Sequence, residues 1–201
     1  MEKHSFLIFE PDKNTESVSN ETIIYSLWFL AIAIFYLSDN YVQSNNLIYW
    51  SRLFILIAIV ILSSYWGLVG LWKYKPLNGV YNGDLEFGED YFKKNEEEIK
   101  LNDINKINIE IQDYHGMQTR TRGSAFSPGL SHGINNYIEY VNLDGTSNKI
   151  FFKQSVRNQY RVLRAFIISS IRLNKMSFLR GIDLLGIEDY DEIQEFKRNF
   201  S

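Results

Sequence analysis

Two apolar runs near the N-terminus, Thr22 to Ser38 and Leu53 to Trp72, constrain this chain more than any other feature. Each is close to the roughly 20 residues that a helix needs to cross about 30 Å of hydrocarbon. Neither contains Asp, Glu, Lys or Arg, and Arg52 stands at the mouth of the second. The core helix of a globular protein could resemble the first run. The second is interrupted only by Ser63 and Ser64, so it lacks the polar face of a soluble amphipathic helix. Trp28, Tyr49, Trp50, Trp66 and Trp72 gather mostly toward the ends of the runs, where amphipathic rings prefer the headgroup level. The sequence therefore predicts a membrane hairpin over 22–75, with spans at about 22–38 and 53–72, preceded by a tail over 1–21. Cleavage as a signal peptide is not expected, because the first run starts only at Thr22 and no A-x-A-like site flanks it.

Charge sets the expected orientation. The connecting segment, Asp39 to Trp50, has no Lys or Arg, whereas Lys3 and Lys13 precede the hairpin and Lys73 and Lys75 follow it. The positive-inside rule then puts both termini in the cytoplasm of a multi-pass protein of the inner membrane. Abundant Ile, Asn and Lys is a composition associated with AT-rich bacterial genomes. No cysteine is present, which excludes a disulfide framework, a thiolate metal site and a cysteine nucleophile.

After Pro76 the texture changes to short alternating segments punctuated by Gly, Asn and Asp, so a soluble domain is expected over 76–201. Strands are predicted at Val80 to Phe87, Tyr91 to Lys94, Ile104 to Ile111, Tyr137 to Val141 and Lys149 to Lys153, the last two joined by the turn Leu143-Asp144-Gly145. The period then changes. Val156 to Lys175 is predicted as one helix, capped by Ser155, with Tyr160, Leu163, Phe166, Ile167 and Leu173 on its apolar arc. A short amphipathic helix follows from about Asp189 to Phe200, acidic at its start and basic at its end. The fold class expected is thus a two-helix transmembrane hairpin plus an α+β domain, a small antiparallel sheet or barrel capped by a long C-terminal helix.

This layout resembles the membrane-anchored pleckstrin-homology-like (PH-like) domain proteins of bacteria. The hairpin carries the resemblance, followed by G-V-Y-N-G-D-L-E-F at Gly79 to Phe87, S-P-G-L-S-H-G-I-N-N-Y at Ser127 to Tyr137, and the long helix. The resemblance implies binding or scaffolding rather than catalysis, with no cofactor. Glu89 and Asp90 occupy the turn after the first predicted strand of the domain, where no basic-rich loop is present to hold an inositol phosphate.

Four constellations could carry chemistry. Gly129-Leu130-Ser131-His132-Gly133 matches the G-x-S-x-G nucleophile elbow, but an elbow needs a strand before it and a helix after it, and here Pro128 precedes and a predicted strand follows. His4, His115 and His132 are the only histidines and have no metal-ligand spacing. Gly116 to Gly133 is a long irregular stretch with Arg120 and Arg122 and no acidic residue, so it is either a candidate anion-binding loop or a solvated hairpin. On the predicted helix, Arg157, Arg161, Arg164, Arg172 and Lys175 fall in one sector at 100° per residue, with no acidic side chain from Ser155 to Lys175. One-sided charge is uncommon on a merely solvated helix, where both signs usually alternate. The stripe either contacts a protein partner or anionic lipid headgroups, or pairs with carboxylates such as Glu96 to Glu98 or Glu188 to Glu192.

From Pro76 onward there are 16 Lys and Arg against 18 Asp and Glu, so the domain has no net positive field for nucleic acid. The function expected is a membrane-tethered binding or scaffolding protein. An immunity-type or regulatory membrane protein, an accessory subunit of a transporter, and a serine hydrolase using Ser131 are the alternatives.

Overall fold

The computed structural model describes residues 5–12, 19–42, 46–120 and 125–198. The chain divides into two compact units, one from 1–13, 77–117 and 132–201, the other from 14–76 and 118–131.

The first unit is built on a seven-stranded sheet. Its strands are β1 (Ser5–Pro11), β2 (Gly79–Phe87), β3 (Tyr91–Lys94), β4 (Glu97–Lys100), β5 (Ile104–Glu110), β8 (Asn136–Asn142) and β9 (Ser147–Phe152), in the order β4-β3-β2-β1-β9-β8-β5. Every neighbouring pair is antiparallel. A short ribbon, β6 (His115–Gln118) with β7 (Leu130–His132), is separate from it.

The sheet is curled. Its edge strands β4 and β5 are consecutive in the chain, joined by the single 3-10 turn Leu101–Asp103. Four Cα steps reach at most roughly 15 Å, whereas seven flat strands would set the edges roughly 29 Å apart. Leu101 anchors that turn, fully buried, with its N–H donating to the Asp90 carbonyl at 2.8 Å.

Ser5–Pro11, expected as part of a tail, is instead the central strand between β2 and β9. Phe6, Ile8 and Phe9 are buried while Leu7 is 43% exposed. Pro11 pairs with Gly79, and the Asp12 N–H extends the ladder to the Asn78 carbonyl at 3.0 Å. The whole helical hairpin is thus an insertion between two adjacent strands. Gly79 has φ +150, and a Cβ there would stand 2.2 Å from the Glu10 carbonyl oxygen.

The predicted single helix over 156–175 is broken. Asn158 takes a left-handed φ of 64°, a 3-10 turn runs Gln159–Leu163, and α3 covers only Arg164–Arg172. Ser155 does not cap it; its N–H donates to Gln159 Oε1 at 2.7 Å. Asn174, at φ 56°, ends the segment. A further helix, α4 (Phe178–Leu185), was not predicted; its cap Ser177 accepts from the Arg180 N–H, and Gly186 closes it at φ 66°. The last helix, α5 (Tyr190–Arg198), lies where the sequence predicts one.

These helices seal the sheet. Leu163, Phe166, Ile167 and Ile171 enter one core with Phe6, Phe92, Ile138 and Phe152. Its aromatic rings meet edge to face, Phe6 with Phe152 at 5.0 Å, Phe87 with Phe166 at 5.1 Å and Phe92 with Tyr140 at 5.1 Å. That geometry adds to burial because the positive ring edge meets a negative ring face.

The second unit holds α1 (Asn20–Val42) and α2 (Asn46–Val69), both long and apolar enough to cross a membrane. At 1.5 Å per residue each spans roughly 35 Å. Trp28 Nε1 donates to Ser63 Oγ at 3.1 Å, and Arg52, in the second turn of α2, donates to the Phe35 carbonyl at 2.9 Å with its guanidinium 4.4 Å from that ring. No residue of α2 is buried.

Candidate functional site

The broken helix redistributes the cationic stripe. Arg157 falls in the turn, Arg161 in the 3-10 segment, and Arg164 and Arg172 at the two ends of α3. A 3-10 turn advances 120° per residue rather than 100°, so the sector drawn on an ideal helix does not survive. Lys175 leaves the stripe altogether. Its ammonium donates to the Ile104 carbonyl at 2.6 Å, and its own carbonyl accepts from the Ile107 N–H.

Arg157, Arg161 and Arg164 are exposed, and among the described residues none of them forms an ion pair with a carboxylate. The expected alternative, pairing with Glu96 to Glu98 or Glu188 to Glu192, does not occur for these three; Glu98 pairs with Lys93 at 3.4 Å instead. Val156 and Val162 are exposed among them, 61% and 36%. Arg161 and Arg164 border a cleft of about 170 Å³ with Tyr160 beside them and Ile167, Leu184 and Leu185 as its apolar floor.

The β5 edge is closed. Besides Lys175, Arg180 Nη2 donates to the Ile109 carbonyl at 2.6 Å, and the same guanidinium pairs with Glu110 at 2.8 Å and Asp183 at 2.6 Å. Charged side chains from other elements that bond the carbonyls of an edge strand cover it against a further strand. The other edge, β4, has only four residues, three of them charged.

The predicted anion-binding loop has a different role. Arg120 Nη2 donates to the carbonyls of Gly67, at 3.0 Å, and Ser127, at 3.2 Å. Gly67 lies in the last turn of α2, where carbonyls have no partner within the helix. A cation there also meets the negative end of the helix dipole. Gly70 permits the approach, since a Cβ on it would stand 2.3 Å from Arg120 Nη2 and 2.8 Å from the Ser127 oxygen.

At the start of α1, Glu21 accepts from the Phe126 and Ser127 N–H groups at 3.2 and 2.7 Å and from the Ser127 hydroxyl. Asn20 donates to the Phe126 carbonyl at 3.1 Å, and the Gly129 N–H to the Gly70 carbonyl at 2.8 Å. Residues 118–120 and 125–131 thus stitch the first turn of α1 to the end of α2. Arg122 lies outside the described residues.

The other singled-out residues are ordinary in their settings. Ser131 is 2% exposed on β7, and the next element is β8, so the strand-turn-helix of a nucleophile elbow is not formed. His115 and His132, distant in sequence, come together with ring centroids 6.0 Å apart. No group of three or more His, Cys, Asp or Glu among the described residues could hold a metal ion. Near them Asn136, fully buried, accepts from the Gln112 and Asp113 N–H groups and donates to the Gly133 and Asp113 carbonyls. Asp113 in turn accepts from Asn135 Nδ2 at 2.7 Å. This polar knot ties residues 112–113 to residues 133–136 within the sheet unit. The sequence contains no short-range signal for it, because its members are brought together by strand register.

Two helices capable of crossing a membrane, a mostly antiparallel sheet and C-terminal helices define the class of protein as far as the fold reaches. Comparison with protein-family models, with curated proteins and with solved structures finds no match.

Proposed function

We propose that this chain is a membrane-tethered binding module. In this reading α1 and α2 cross a bacterial inner membrane as a hairpin, a PH-like domain lies on the cytoplasmic side with both termini, and the arginine face recruits an anionic partner.

The observation that carries the reading is that Arg157, Arg161 and Arg164 form no ion pair with a carboxylate among the described residues. An ordinary solvated surface intersperses both signs, whereas three uncompensated guanidinium groups raise the local potential and steer an anionic group toward it. Tethering is supported by the large apolar side chains that α1 and α2 leave uncovered, Phe29 at 76% and Phe54 at 73% among them. Parity supports a hairpin: β1 precedes α1, β2 follows α2, and the two strands pair, so whatever the helices cross is crossed an even number of times. The PH-like assignment is supported by the curled antiparallel sheet followed by core-sealing helices. Enzymatic activity has no place in this reading.

Co-purification of the tagged full-length protein from native membranes in mild detergent tests it, beside a variant with Arg157, Arg161 and Arg164 changed to Gln. The wild type is expected to retain a partner that moderate salt releases, and the variant to lose it. Identical retained material from the two proteins would sink the arginine face as the binding surface.

A further inference from the structure

We infer that the cleft bordered by Arg161 and Arg164 receives an acidic amphipathic helix of a partner protein, laid beside α5. This deepens the proposed function and rests on its reading of the arginine face as a binding surface.

The chain already holds one such helix on the same ground. α5 is acidic at its start, with Asp191 and Glu192 in the first turn. Its Phe196 ring packs 5.9 Å from Phe178 of α4. Glu192 and Glu195 border a second cleft whose other wall includes Arg164 and Leu185. The surface therefore accepts α5 by seating an apolar ring, and carboxylates of α5 line the same cleft as Arg164. Arg164 and Leu185 are shared with the first cleft, where the same chemistry recurs. Ile167, Leu184 and Leu185 form the floor, Arg161 and Arg164 border it, and Tyr160 offers a hydroxyl. Its volume of about 170 Å³ suits one ring-sized apolar side chain, since an apolar cavity of about 150 Å³ admits benzene.

An apolar floor with a cationic border distinguishes this cleft from a purely electrostatic patch. A phosphate group satisfies the arginines but leaves the floor unused. An amphipathic helix satisfies both, with anchors at i, i+3 and i+4 in the groove and carboxylates at its margin. Strand addition is the competing way to bind a peptide, and Lys175 and Arg180 close the β5 edge to it.

The test uses the full-length protein in nanodiscs of neutral phosphatidylcholine. The probes are a fluorescent peptide carrying the sequence of residues 188–198, a scrambled peptide of the same composition with its apolar residues dispersed, and vesicles containing phosphatidylglycerol. The ordered peptide is expected to bind, the scrambled one at least tenfold more weakly, and an Arg161→Gln/Arg164→Gln variant of unchanged thermal stability to lose the ordered peptide at least tenfold. Equal binding of the two peptides, lost in the variant, overturns the helix inference and leaves the arginine face as a general anion site. Binding of vesicles without either peptide overturns the inference in favour of lipid. Failure to bind any of the three overturns both the inference and the proposed function.

Discussion

Pro11 faces Gly79 across the antiparallel ladder between β1 and β2, with both long helices in the stretch of chain between them. The N-terminal strand is therefore a structural partner of segments that follow the hairpin, and its removal has consequences that a dispensable tail would not.

Phe6→Ala should destabilise the sheet unit by about 3 to 5 kcal/mol, because the ring is 1% exposed and touches Phe87 and Phe152. Leu7→Ala, one residue on but 43% exposed, should cost about 0.5 kcal/mol or less. Thermal unfolding of the two full-length variants in the same detergent checks the contrast. Equal losses would remove β1 from the core.

Because the chain contains no cysteine, single cysteines report sidedness without a background. Ser5→Cys and Ser147→Cys should react with an impermeant maleimide from one face of sealed vesicles, and Asn46→Cys only from the other. Labelling of all three from one face would contradict membrane crossing by the hairpin.

Arg120→Ala should loosen residues 118–120 and 125–131 from the helix ends. It removes a charged donor from two carbonyls, an effect on the order of 1.5 to 3 kcal/mol. Gly70→Leu should act in the same direction by displacing the guanidinium. Limited proteolysis should cut both variants in this loop faster than the wild type. If the loop resists as before, the stitch does not hold it.

Burial, and then the negative charge of Glu97, raises the Tyr140 phenol above its ordinary value of 10.0. The neutral ring is the form the folded state favours. Stability from this group is fully present below about pH 10 and is lost as pH rises toward and through the folded value, at up to about 1.4 kcal/mol per pH unit. Tyr140→Phe should flatten the alkaline slope of stability while leaving the neutral-pH value little changed. An unchanged slope would place the titration elsewhere, with Tyr81, which burial also raises, next to be tested.

Much of the fold is legible along the chain wherever one face of a strand is buried and the other is wet. Ile107 and Ile109 alternate with Lys106 and Asn108, and β5 begins at the expected residue. β1 is missed because Phe6, Ile8 and Phe9 break the alternation at a register shift, leaving a short apolar run with no period. β4 is missed because Glu97, Glu98 and Lys100 have no strand propensity of their own and are placed by pairing with β3. The helix break is encoded in Asn158 and Asn174, two residues tolerant of left-handed backbone, yet asparagine occurs inside helices often enough to mask the signal. Of the site, the exposed arginines are visible as charge without countercharge. The roles of Lys175 and Arg120 are not, since Ile104 and Gly67, the residues whose carbonyls they bind, are remote in sequence.

On the proposed reading of α1 and α2 as a membrane hairpin, their insertion between β1 and β2 would give the fold a built-in check on its own biogenesis. A nascent chain that passed only α1 through a bilayer would strand β1 on the far side from β2 and β9, and the sheet would lack the one strand that joins its two halves. Such a product would have an open seam in place of a core and would be a ready substrate for quality-control proteases, so that on this reading correct threading of the helices and completion of the domain would be a single event.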